Sequence, residues 1–207
     1  TLNYFHQSAN DIPDYGIPFF AGKPADVPRN NFDGFKSDDH LNTTVDISTV
    51  KFEHDFSSDL TLRNQTRYAR YSRDVAVTEP QSASATTTTR NMKIRKSLET
   101  YLGNQTDLTG KFETFGAKHT MTGGVMIESE TSAPTVFGYP ITGANNTTTN
   151  TENPSQAGFN YAGMTKSSIT KVKIDTLGVY ALDSVKLGKA WELSFGARFD
   201  NMQTDSD

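Results

Sequence analysis

The chain has 207 residues, 34% of them hydrophobic, 11% aromatic and 21% charged, with a formal net charge of −4. That acidic balance argues against nucleic acid as the main partner, which calls for a basic patch or stripe, and the lack of cysteine excludes disulfides and thiolate metal sites. The aromatic content is too high for a disordered chain, and no run of about 18 apolar residues is available for a transmembrane helix, so strands joined by polar loops remain.

Alternation of period two, the mark of a strand with two unlike faces, dominates the chain. A first strand is expected over about Leu2 to Ser8, followed by a long polar connection from Ala9 to Asn42. Thr43 to Phe56 predicts a second strand, and the tight Ser57-Ser58-Asp59 turn leads into Leu60 to Arg73. There Leu60 and Leu62 open a face continued by Asn64, Thr66 and Tyr68, opposite Arg63, Gln65, Arg67, Tyr71 and Arg73. A second long polar connection is expected over Val77 to Leu98. From Tyr101 to Phe115, Gln105, Asp107, Thr109, Lys111 and Glu113 oppose Leu102, Thr106, Leu108 and Phe112. After the tight Gly116-Ala117-Lys118, Met121, Gly123, Val125 and Ile127 oppose Thr120, Thr122, Gly124 and Glu128 in His119 to Glu130.

A third long connection covers Thr131 to Thr170. Lys171 to Leu187 carries apolar residues on both faces, so pattern alone does not assign its inside. The tight Lys186 to Lys189 then leads to Trp191 to Asp200, where Trp191, Leu193, Phe195, Ala197 and Phe199 oppose Glu192, Ser194, Gly196, Arg198 and Asp200.

Strict alternation of short and long connections is what an outer-membrane barrel shows, with turns on the periplasmic side and loops outside. Its strands need one apolar face only, whereas a sandwich core would bury the charged faces at several kcal/mol per unpaired charge. Trp191, at a short turn, sits where an interfacial aromatic girdle places such a residue, with ordinary core packing as the competing role. The expected fold is therefore all-β: an antiparallel transmembrane β-barrel segment of about seven strands, with short periplasmic turns and long extracellular loops.

Nothing in the sequence reads as an enzyme: no nucleophile elbow, phosphate loop or HExxH spacing occurs. Asp38-Asp39-His40 reads as an exposed acidic loop in preference to a metal site, and the Asn-x-Thr triplets at Asn42, Asn64 and Asn104 as chance. Thr86 to Thr89 and Asn145 to Thr149 read as mobile low-complexity loop tips.

Several linked motifs then carry a resemblance. Asp11-Ile-Pro-Asp-Tyr-Gly-Ile-Pro-Phe19 with Val27-Pro-Arg-Asn-Asn-Phe-Asp-Gly-Phe35 resembles the loop after an early barrel strand in TonB-dependent siderophore receptors, the catecholate type in particular. Phe52-Glu-His-Asp-Phe56, Leu60 to Tyr68, Asn104 to Phe112, His119 to Val125 and Tyr180-Ala-Leu-Asp183 continue it in order, and Phe195-Gly-Ala-Arg-Phe-Asp200 resembles the family's recurrent strand end. The resemblance spans nearly the whole chain and implies that residues 1–207 are part of a receptor barrel domain with the plug domain absent. Barrels of this kind have about 22 strands. Seven strands form an incomplete barrel, an arc with unpaired edges, and the start at Thr1 without a signal peptide reads as an internal piece of a longer receptor.

The resemblance further implies an outer-membrane receptor that imports ferric siderophores, driven by TonB through the missing plug region. The remaining partners are outer-membrane lipid and lipopolysaccharide, and no cofactor is expected beyond ferric iron as its siderophore complex. Aromatic faces and cationic heads complement such a ligand. The implied binding residues are Arg67, Tyr71 and Arg73 at the outer end of a strand, Tyr15, Phe19 and Phe20 in the first loop, Arg90, Lys93 and Arg95 in the second, and Phe137, Tyr139, Phe159 and Tyr161 in the third. For these loop aromatics the competing role is packing of the loop against itself, and for the arginines pairing with carboxylates. A receptor for haem, cobalamin or a glycan, a soluble secreted β-sheet binding module and a simple porin are the rival readings.

Overall fold

The structure, a computed structural model, describes residues 1–140 and 147–207, with Ser82 described by its backbone alone. In chain order the strands are β1 (Leu2–Asp11), β2 (Phe19–Phe20), β3 (Lys23–Pro24), β4 (His40–Ser57), β5 (Leu60–Ala83), β6 (Thr87–Thr114), β7 (Ala117–Ser132), β8 (Thr135–Gly138), β9 (Thr148–Asn150), β10 (Thr165–Ile169), β11 (Val172–Leu187) and β12 (Trp191–Ser206). Seven long strands form one antiparallel sheet in the order β1-β4-β5-β6-β7-β11-β12, a wall in which each strand pairs with its predecessor along that path. Among the described residues β1 and β12 are its two edges. The wall is thus an arc of a barrel.

The three tight connections fall where expected, the second within a residue or two. The β6–β7 turn is the pair Phe115 and Gly116, both at positive φ (51° and 79°), the left-handed conformation that matches the twist of a two-residue hairpin. The strands, in contrast, run past their expected ends. β12 continues through Ser206, with Asp205 paired to Lys173, so the last strand extends six residues beyond Asp200.

Register gives each strand its two faces. Arg63, Gln65 and Arg67 lie opposite Asp107, Gln105 and Gly103, and these in turn opposite Gly124, Met126 and Glu128. This is the lumen face, cross-linked by Arg63 to Glu53 at 2.6 Å, Gln105 to Tyr180 at 2.7 Å, Tyr101 to Glu128 at 2.5 Å and Arg198 to Asp200 at 2.8 Å. The opposite face carries Leu62, Leu108, Val125, Val179, Leu193, Phe195 and Phe199. The large apolar side chains stay exposed there, Phe195 at 62% and Trp191 at 72%, as lipid-facing side chains of a single-layer wall must be.

Register also settles β11. Tyr180 and Leu182 share the lumen face, while Val179, Asp183 and Val185 share the lipid face. An apolar residue inside and a carboxylate outside are what blurred its alternation.

The second expected loop, Val77 to Leu98, is not a loop. β5 and β6 pair without interruption through it, except for a bulge between Pro80 and Ser82, and reverse over Ser84 to Thr86. Thr87–Thr89 accordingly belong to β6, where they also pair β9, and Thr88 is fully buried. The expectation of a mobile tip there is overturned by a backbone bonded on both sides. Of the second expected tip, Asn145 and Asn146 lie outside the described residues, whereas Thr147 and Thr149 are buried.

Candidate functional site

The β5–β6 hairpin stands above the wall on the side of the long connections and has two unlike faces. On its outer face, Ala76, Met92 and Ile94 pack with Phe35 and Phe159 into the main hydrophobic core, with Phe137 and Tyr139 against it. Phe35 comes from the β1–β4 connection, and Phe137, Tyr139 and Phe159 come from the β7–β11 connection. Three sequence-distant segments therefore share one core. Apolar burial of this kind supplies order that a solvated loop lacks.

Polar groups close the same core. Arg90 is buried, lies 4.0 Å from the Phe35 ring centroid, and donates from Nη1 to the carbonyl oxygens of Asp33 and Ser155. Asp39, also buried, accepts from the Thr78 amide at 3.0 Å and the Thr78 hydroxyl at 2.7 Å. Asp38 accepts from the Phe159 amide and the Tyr161 hydroxyl, and His40 reaches Asp74 at 3.4 Å. The Asp38-Asp39-His40 triplet is a clamp between segments and not the exposed acidic loop expected. No cluster able to hold a metal ion occurs among the described residues. Burial pushes the Asp33 and Asp39 carboxyls above the ordinary carboxylate range, at Asp39 against the opposing effect of its Thr78 bonds. It pulls the Arg90 guanidinium down and raises the Tyr139 and Tyr161 phenols.

The inner face of the hairpin is open. Arg73, Val75, Val77 and Glu79 of β5 stand beside Lys93 and Arg95 of β6, and with Tyr15 they line a hollow of about 310 Å³. Lys93 lies 3.3 Å from Glu79, while Arg73 and Arg95 are exposed. Below it Tyr71, Glu99, Tyr101, Glu130 and Ile174 help line a second hollow of about 260 Å³. The larger hollow of about 660 Å³ bounded by Leu102, Ile127, Leu177 and Asn201 opens mainly on the lipid face and is separate from this vestibule.

The candidate residues thus divide. Tyr15, Tyr71, Arg73, Lys93 and Arg95 gather on the inner face, and Arg67 lies lower on the same face, 3.4 Å from the Thr49 hydroxyl. Phe19 and Phe20 are exposed, at 66% and 39%, on the small β2–β3 hairpin. Arg90, Phe137, Tyr139 and Phe159 are instead engaged in the loop core. The Tyr139 hydroxyl accepts from the Met92 amide and donates to Asn91, and Tyr161 stacks edge-on with Phe159 at 4.9 Å. Arg90 and Phe159 are buried in that core, whereas Phe137 and Tyr139 are half-buried and Tyr161 remains 39% exposed. Val75, Val77 and Glu79 were not anticipated. The signal was present, since the alternation of Tyr71 and Arg73 continues through them.

A wall with one charged and one apolar face, short turns at one end and a built loop body at the other is an outer-membrane β-barrel wall. Residues 1–207 match the TonB dependent receptor-like β-barrel family, and the chain belongs to that family. It is 29% identical, over its full length, to the catecholate siderophore receptor Fiu of Escherichia coli K12, of which it covers 30%. To the probable TonB-dependent siderophore receptor PiuA of Acinetobacter baumannii it is 27% identical, again over its full length and 31% of that protein. The chain therefore spans about a third of the relatives it matches. The crystal structure of the E. coli K12 ferric-catecholate import receptor Fiu in its open form superposes on 99% of the chain with a TM-score of 0.82, at 27% identity and 34% coverage of that protein. The Pseudomonas aeruginosa pyoverdine receptor FpvA shares the fold, with a TM-score of 0.84 at 15% identity.

Proposed function

We propose that the chain is the vestibule-bearing arc of a receptor that imports ferric siderophores of the catecholate kind, energised by TonB through a plug domain. The observation that carries this reading is the inner face of the β5–β6 hairpin, where Arg73, Lys93, Arg95 and Tyr15 converge around Val75 and Val77, with Tyr71 below them on the same face. An iron complex of planar rings and anionic oxygens meets apolar and aromatic surface for the rings and cationic donors for the oxygens. Glu79 pairs with Lys93, which leaves Arg73 and Arg95 as the main attractive charges. The iron is cargo, the transfer is noncovalent, and no residue is assigned a catalytic role. Support for the ligand class comes from the Fiu and PiuA relatives, whose names describe siderophore receptors.

The test is the Arg73→Ala/Arg95→Ala double variant of the full-length receptor, titrated with a ferric tris-catecholate. Loss of two charge-assisted contacts should weaken binding by about 10- to 100-fold and abolish growth on that complex as sole iron source. Unchanged affinity in a correctly assembled variant overturns the assignment.

A further inference from the structure

Beneath the cationic hollow the inner face changes sign. Register sets Tyr71 opposite Glu99 in one row and Tyr101 opposite Glu130 in the next. Rings and carboxylates therefore alternate around the hollow of about 260 Å³, which Val172 and Ile174 close on the far side. Arg95 and Glu99 share one face of β6 four residues apart, roughly 13 Å along the strand, so the two hollows are neighbours of opposite charge. Among the described residues neither Glu99 nor Glu130 forms an ion pair, while Lys93 is engaged by Glu79, and Lys96 by Asp74 on the other face. Arg67, one row lower, lies beside the Thr49 hydroxyl.

The lower hollow has a fixed floor. Gly103 is buried, and a Cβ there would lie 2.6 Å from Tyr101 Cζ. The Tyr101 phenol thus lies along the wall in the space that a side chain at 103 would fill, and its hydroxyl donates to Glu128 at 2.5 Å. That bond holds the ring in place and engages the third carboxylate of the belt, which leaves Glu99 and Glu130 as the open acceptors. Tyr71 stands at the rim, 38% exposed. The space is smaller than the 300–1,000 Å³ or so of a small-molecule site, too little for a ferric tris-catecholate but enough for a short alkyl arm and its head group. Carboxylates and tyrosine rings around one hollow select an ammonium, whose N–H groups the carboxylates accept and whose charge the rings attract. A neutral head would desolvate Glu99 and Glu130 without supplying equivalent donors.

We propose that this hollow is a subsite for a cationic arm, and that the ferric complexes favoured by the receptor carry an alkylammonium group beside their anionic iron centre. The subsite rests on the vestibule reading, since the iron centre must sit against Arg73 and Arg95 for its arm to reach down to Glu99. Glu99 and Glu130 accept from the ammonium, Tyr71 and Tyr101 flank it, and Gly103 makes room for the Tyr101 ring. The ligand class narrows accordingly, from any anionic catecholate complex to one that is negative at the metal and positive on its framework.

The experiment titrates the full-length receptor with two ferric complexes of one tris-catechol ligand, the first bearing a single aminobutyl arm and the second the same arm N-acetylated. Wild type should bind the amine form about tenfold more tightly, the worth of one charge-assisted contact, although that form offers one negative charge fewer to Arg73 and Arg95. Glu99→Gln/Glu130→Gln should bring the two affinities to within about twofold of each other without weakening the acetylated form. Arg73→Ala/Arg95→Ala should weaken both complexes and keep their ratio. Equal affinity of the two complexes for the wild type overturns the subsite and leaves the vestibule reading standing; a basic side chain of the plug seated in the hollow would give that result. A preference that survives in the glutamine variant overturns it too. Failure of both complexes to bind removes the vestibule reading and the subsite together. If the double variant fails to assemble, Glu99→Gln alone carries the same comparison.

Discussion

Asp33 and Arg90 show how far a loop residue can depart from what its sequence neighbourhood suggests. Arg90 reads from the sequence as a ligand contact or the partner of a carboxylate, yet it and Asp33 are each 2% exposed, and both carboxyl oxygens of Asp33 are without a hydrogen-bond partner among the described residues. Burial is the largest cause raising the Asp33 carboxyl, and the same holds for Asp39. A carboxyl raised in the folded state binds its proton more tightly there than in the opened loop. Its stabilisation is therefore complete below the unfolded value and is lost as pH rises through the folded one. The loop body should be better protected at pH 5 than at pH 8, measured by amide hydrogen exchange over residues 28–39 and corrected for intrinsic rates. Asp33→Asn, which mimics the protonated form, should flatten this dependence. Protection that increases with pH contradicts the sign.

At the scale of elements, the wall strands were legible because lipid and lumen impose opposite demands on alternate residues. Trp191 to Phe199 states that contrast in five apolar positions, and the three tight turns locate its ends. The upper hairpin was not legible, because above the membrane its outer face is covered by two other segments instead of lipid. Small and polar residues such as Ala76, Thr78 and Thr88 suffice there. Partners such as Phe35 and Phe159, over 120 residues apart in sequence, leave no local period to read. The cationic half of the candidate site was visible in the alternation of Tyr71 and Arg73. The division of the loop aromatics into packed and presented sets was not, since it depends on which face of the hairpin each meets. Met92 tests this account. It is 2% exposed in the shared core, and Met92→Asp buries a charge that costs several kcal/mol unless the loops part. Limited proteolysis should cut the β1–β4 and β7–β11 connections of this variant while barrel assembly is unaffected. Resistance equal to that of the wild type contradicts a shared core.

For the whole molecule, membrane insertion requires that every wall strand turn its apolar set outward together, and a single-layer sheet has no second layer to hide an error. Phe195 and Ser194 are neighbours with opposite duties. Phe195 pairs with Asp183 on the lipid face, whereas Ser194 pairs with Ser184 on the lumen face, their hydroxyls 2.9 Å apart. Five or six residues above its turn, Phe195 sits roughly 15 Å up a strand tilted by about 40°, near the middle of a lipid band about 25 Å tall. An arginine there costs about 2–4 kcal/mol, while one at Ser194 enters a polar interior. Phe195→Arg should therefore deplete the heat-modifiable, folded receptor from outer-membrane fractions, and Ser194→Arg should leave it close to the wild-type amount. The two changes are adjacent in sequence and identical in charge, so the comparison isolates the direction in which the side chain points. Equal depletion of both places the strand in a buried sandwich, and equal tolerance removes it from the membrane wall.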